Sequence, residues 1–130
     1  MNDTTSALSP REEPEAHGAP LRRFTDPSYV PLCASLAEVR EHIDAIDQQI
    51  VALLAERGRY VKDAARFKRD AFQVSAPQRQ LEVIEKVKAL AKKEGAYPEV
   101  VEACYLALIE GFIAREQQDH QGMIDAEAQP

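Results

Sequence analysis

From Leu36 to Lys68 the apolar positions recur every third and fourth residue without a slip: Leu36, Val39, Ile43, Ile46, Ile50, Leu53, then Arg57, Tyr60, Ala64 and Phe67. Alternating steps of 3 and 4 keep one face of a helix apolar, the pattern of a helix that buries a seam against another helix. No proline or turn dipeptide interrupts the run, and the lone Gly58 costs about 1 kcal/mol relative to Ala. Ser35 stands before it as an N-cap, with Glu38 placed to complete a capping box. At about 1.5 Å per residue such a helix is roughly 50 Å long, more than a compact domain of this size can cover, so the pattern predicts a partner from another chain. The end of this first helix is expected around Arg69 to Ala71, with Phe72 to Val74 as a short connection.

Two further helices follow. Ser75 and Gln78 form a second capping signal with Pro77 in the first turn. Leu81, Ile84, Val87, Leu90 and Ala91 then make a buried stripe that Lys92, Lys93 and Gly95 close. The third helix starts near Pro98, a favourable first-turn residue, and runs to about His120. Its face carries Val101, Tyr105, Leu108, Phe112 and then Glu116. No strand pattern or internal repeat is present. The expected fold is all-α: three helices, long, medium and long, in an intertwined antiparallel homodimer. Residues 1–31 hold Pro10, Pro14, Pro20, Pro27 and Pro31 of the eight prolines and no apolar periodicity, and are expected to form a disordered or loosely attached arm. Residues 32–121 form the helical domain and 122–130 a frayed tail.

Composition narrows the function. In the 130 residues the net charge of -6 argues against general nucleic-acid binding, which needs a basic face. No apolar run is long enough to span a membrane, and the first thirty residues lack the apolar core of a signal peptide, so a cytoplasmic location is expected. Cys33 and Cys104 have no metal-like spacing, and His17, His42 and His120 are scattered; no metal is expected.

The chemistry sits on two seam positions that are charged. Arg57 occupies a place made for Leu or Ile and has to face an anion or a carboxylate. Lys68 lies eleven residues on, three helical turns, on almost the same side and about 16 Å away. Arg40 is about 25 Å from Arg57 on one helix and rotated by about 100°, too far to share a small pocket within one chain. If two such helices pair antiparallel about a two-fold near Val51, the partner's Arg40 falls level with residue 62, between Arg57 and Lys68. Arg79, in the first turn of the second helix where the dipole disfavours cations, is either a surface residue or an anion ligand. Arg57 and Glu116 can equally form a structural ion pair, with Lys68 a solvated residue at a helix end. The functional alternative is a pocket of cations and one carboxyl that takes a small dianionic ligand. No nucleophile–base pair, phosphate loop or metal cluster accompanies it, so its chemistry would rest on shape and electrostatics.

The runs LAEVREHIDAIDQQIVALLAERGRYV, ARFK, APQRQLEVI and LIEGFIAREQ together resemble the all-helical chorismate mutases over roughly residues 33 to 120. Within that family they are particularly similar to the isochorismate–pyruvate lyase branch, with its RFK…AP-x-R pattern. The resemblance implies a cofactor-free rearrangement of the dicarboxylate chorismate to prephenate, a step in aromatic amino acid biosynthesis, in two sites shared between the chains of a homodimer. The alternative it implies is elimination of pyruvate from isochorismate to give salicylate. A non-catalytic helical dimer remains a third reading. Carried over by position, Arg57 holds a substrate carboxylate and Arg79 lies beside the pocket. Arg40 reaches in from the partner chain, Lys68 hydrogen-bonds the ether oxygen, Glu116 stands where the family places a second donor to that oxygen, and Val61 and Phe112 line the wall. Three positions depart from the mutases: Gln80 replaces a glutamate that grips the substrate hydroxyl, Ala76 replaces a loop aspartate, and Glu116 replaces a glutamine. The first two also occur in the lyase branch, and Gln80 can still bond a hydroxyl. Glu116 has to carry a proton to donate. A match displaced by one residue would make Gln117 the donor instead.

Overall fold

A computed structural model describes residues 12–129, and every regular element in them is helical. The elements are α1 (Leu36–Ala64), a 3-10 turn (Ala65–Phe67), the short α2 (Ala71–Ser75), α3 (Pro77–Glu94) and α4 (Pro98–Glu127). The expected long, medium and long helices are α1, α3 and α4. Among the described residues no helix is long and apolar enough to cross a membrane.

The chain divides between Ala52 and Leu53 into two compact units. In the first, residues 12–35 are irregular and lead into α1. The Ala37 N–H donates to the Ala16 carbonyl at 2.8 Å. Phe24 and Tyr29 stack with centroids 4.1 Å apart. Asp26 accepts hydrogen bonds from the Ser28 hydroxyl and N–H, which lower its carboxyl below the ordinary range. The Glu38 N–H donates to Ser35 Oγ at 3.2 Å, while the Glu38 carboxylate accepts from the Ala34 N–H at 3.1 Å, one residue earlier than a capping box requires. Residues 1–11 of the expected arm lie outside the described residues.

The second unit holds the core. Val74 of α2, Ile84, Val87 and Ala91 of α3 and Ile109 of α4 are buried with Ala65, and two polar side chains, Glu116 and His120, are buried with them. Gly95 ends α3 in the left-handed conformation (φ 76°) that its sequence position predicts, and Pro98 opens α4.

Boundaries differ from expectation at four places. α1 stops at Ala64 and tightens into the 3-10 turn instead of reaching Arg69, and Lys68 is extended (φ -104°, ψ 133°). Residues 71–75 are helical where a bare connection is expected, because Asp70 is itself an N-cap: its carboxylate accepts from the Gln73 N–H at 3.0 Å, the main cause of its lowered pKa. The residue preceding α3 is Ala76 and not Ser75. Ala76 carries φ 44°, an unfavourable left-handed conformation for a residue with a Cβ, and closes α2 as it opens α3. α4 continues to Glu127, about two turns beyond His120, so residues 122–127 are helix and not frayed tail.

Candidate active site

One cavity of the second unit measures about 330 Å³, within the range of small-ligand sites. α1 contributes Arg57, Tyr60, Val61 and Ala64 to it, and α3 contributes Arg79, Gln80 and Val83. Val74, Ser75 and Ala76 close one end, and Ile109, Phe112, Ile113 and Glu116 of α4 form the remaining wall with Lys68. Three cations and one carboxyl therefore meet on an otherwise largely apolar surface.

Lys68 reaches the site by a route the helical spacing does not describe. Because α1 has already ended, Lys68 does not lie on a continuous helix with Arg57; its extended backbone carries it toward α4 instead. Its Nζ donates to Glu116 Oε2 at 3.0 Å, and its carbonyl oxygen accepts from His120 Nε2 at 2.7 Å. Glu116 is only 4 % exposed. The 3-10 turn is fixed in part by the Lys68 N–H, which donates to the Ala65 carbonyl at 3.2 Å.

Arg57 is partly buried and lies over two rings, 5.2 Å from the Phe112 centroid and 6.0 Å from that of Tyr105, within cation–π range. The structural ion pair between Arg57 and Glu116 is not formed; Glu116 pairs with Lys68, and among the described residues Arg57 has no ion-pair partner. Phe112 can lie this close because position 58 is glycine: a Cβ there would come within 2.9 Å of the ring edge. Arg79 is exposed at the mouth of the cavity, with Glu82 3.9 Å away. Arg40 is exposed on the part of α1 that belongs to the first unit, and the cavity is built wholly from the second.

Glutamine side chains fix the end of the cavity near α2. Gln80 Nε2 donates to the Ser75 carbonyl at 2.6 Å, which leaves its Oε1 and its second N–H to meet a ligand. Gln117 Nε2 donates to the Ala71 carbonyl at 2.9 Å and lies 3.4 Å from Ser75 Oγ. The neighbouring residues on α4 thus face different surroundings: Glu116 the cavity and Gln117 the backbone of α2.

The profile of the chorismate mutase type II family matches residues 39–117. The chain belongs to this family. It is 36 % identical over 84 residues to an isochorismate pyruvate lyase of Pseudomonas aeruginosa, covering 65 % of this chain and 83 % of that one. It is also 31 % identical over 84 residues to a chorismate mutase of Methanocaldococcus jannaschii, covering 64 % of this chain and 85 % of that one. The matched family segment includes Arg40, Arg57, Lys68, Arg79 and Glu116, but stops before His120.

His120 is a buried polar residue to which the sequence pattern alone assigns no role. Its signal is its spacing from Glu116, four residues along one face of α4. His42 is also less isolated than its position in the chain suggests: one of its ring nitrogens, Cys33 Sγ and a Glu38 oxygen gather within 4.8 Å. The cluster sits at the start of α1, where the helix dipole opposes a cation, and desolvation with the Glu38 carboxylate pushes the Cys33 thiol up, away from the thiolate a metal needs.

Proposed function

We propose that this protein is a cytoplasmic chorismate mutase, a homodimer that converts chorismate to prephenate without a cofactor. The observation that carries the reading is the Lys68–Glu116 contact on the wall of a cavity also lined by Arg57 and Arg79, in a chain of the chorismate mutase type II family. In this [3,3] rearrangement an ether C–O bond breaks as a C–C bond forms, and no proton is transferred. Catalysis then requires a cavity that holds the compact reactive conformer and donors where negative charge develops. Arg57 binds a substrate carboxylate in a two-bonded grip, with Arg79 beside it. Lys68 donates to the ether oxygen as that oxygen gains charge, a contribution of about 3–4 kcal/mol by analogy with oxyanion donors. Glu116, when protonated, donates to the same oxygen. Val61 and Phe112 hold the ring.

The apolar face that α1 leaves uncovered supports the dimer. Ile43, Ile46 and Ile50 are about half exposed and Leu53 is 62 % exposed, a continuous apolar stripe of the kind that marks an interface. Antiparallel pairing of two α1 helices about Val51 covers the stripe and brings the partner's Arg40 level with residue 62, adding a cation between Arg57 and Lys68.

The lyase reading has its own support: Gln80 and Ala76 stand where many mutases carry acids, and one relative bears that activity's name. Purified protein incubated separately with chorismate and isochorismate decides the matter by product mass. Prephenate as the fast product is expected. Salicylate and pyruvate as the fast products would make the protein a lyase, and no product from either would favour a non-catalytic helical dimer.

Two substitutions probe the departures. Glu116 donates only in its protonated form, whereas the amide of Glu116→Gln carries a donor in every state. The kcat of Glu116→Gln with chorismate should equal or exceed that of the wild type; a fall of about tenfold would show that the site needs the carboxylate on Lys68 and would remove Glu116 from the donor role. Gln80→Glu restores the residue usual in mutases, yet places a carboxylate oxygen against the Ser75 carbonyl, where the amide now donates at 2.6 Å. The loss of that bond and the repulsion should lower kcat/KM for chorismate by about five- to thirtyfold. An increase in kcat/KM would show that the amide is not held by Ser75 in solution.

A further inference from the structure

We infer that His120 is a positioning residue for Lys68, and this rests on the catalytic role proposed for Lys68. Lys68 lies in a short extended stretch between the 3-10 turn and α2, where no helical ladder holds its carbonyl. That carbonyl is taken by His120, whose Nε2 must be the donor because a carbonyl oxygen only accepts. The Lys68 ammonium is held by Glu116, one turn earlier on the same face of α4. Both ends of Lys68, main chain and side chain, are therefore fixed by two residues of one helix, each at most 5 % exposed. A lysine side chain has four rotatable bonds, and fixing the backbone from which it springs narrows the region its nitrogen samples. Small misplacements of a reacting-centre donor carry large rate penalties.

The test separates kcat from KM with chorismate, alongside thermal unfolding. His120→Phe fills the same volume without a donor. It should lower kcat by about tenfold or more, while KM changes by less than about twofold because Arg57 and Arg79 are untouched. His120→Gln, whose amide can donate to the same carbonyl, should restore most of the kcat. In a Lys68→Met background, His120→Phe should cause no further loss. A kcat within twofold of wild type in His120→Phe would overturn the proposal, as would an equal loss in the Lys68→Met background, since a purely structural histidine predicts that. If His120→Phe does not fold, His120→Asn serves in its place: its shorter amide falls short of the carbonyl, and an unchanged kcat would again refute the role. Wild-type protein that converts neither chorismate nor isochorismate overturns the underlying catalytic reading, and that outcome is visible before any variant is compared.

Discussion

Arg57→Ala should lower kcat/KM for chorismate by about a thousandfold or more while leaving a folded dimer. The size of the loss follows from removing the charged, two-bonded grip on a substrate carboxylate proposed for Arg57, together with the orientation that grip imposes. The small effect on folding follows from what Arg57 touches. Within the described chain it has no ion-pair partner, only the faces of Phe112 and Tyr105. Its removal strands no carboxylate, and giving up the two ring faces costs about 1 kcal/mol. Steady-state kinetics, size-exclusion chromatography and thermal unfolding of the variant read these effects separately. A structural module would show the reverse, a clear fall in stability, and a variant retaining wild-type turnover would remove Arg57 from the site.

The three main helices, and the ends marked by Gly95 and Pro98, were legible because they depend on near neighbours along the chain. The 3-4 spacing fixes α1 and its apolar stripe, Gly95 fixes the end of α3, and Pro98 the start of α4. The departure of the chain from α1 was harder to see. Ala64 to Arg69 carries no proline or glycine, and its own propensity is helical; the turn is imposed by partners far away in sequence, His120 on the Lys68 carbonyl and Glu116 on the Lys68 ammonium. One local signal was present, since Asp70 three residues before Gln73 spells an N-cap, and a residue that caps a new helix cannot also continue the old one.

The charged positions were legible as a set but not as pairs. A carboxyl on the apolar face of α4 and an arginine on that of α1 invite each other, and only the fold shows that Lys68 arrives first. Gln80 and Gln117 illustrate the same limit: both are polar residues near the cavity, and each spends its amide nitrogen on the backbone around α2. The amide orientation of Gln80 is a tertiary property that no spacing rule contains.

Lys68→Ala should lower turnover by about a hundredfold to a thousandfold, and mixing it with Arg40→Ala should recover part of it. Among the described residues the ammonium is the one cation paired with the buried Glu116, so its loss removes the donor proposed for the ether oxygen and leaves a carboxylate buried without its partner. Breaking a partly buried pair in this way should cost about 1–3 kcal/mol of stability. The double variant Lys68→Ala/Glu116→Gln replaces the stranded carboxylate with a neutral amide. It should therefore regain stability without regaining turnover, which separates the two consequences of losing Lys68. In the shared-site dimer each site draws Lys68 from one chain and Arg40 from the other. A heterodimer of the two single variants then contains one site lacking both residues and one lacking neither. Each heterodimer should work at about half the wild-type rate, and a fully exchanged equal mixture, in which half the dimers are mixed, at about a quarter. Native mass spectrometry confirms the exchange and a chorismate assay reads the rate. If sites are confined to single chains, every site in the mixture carries one of the two defects, and mixed dimers without recovered activity would refute the shared site.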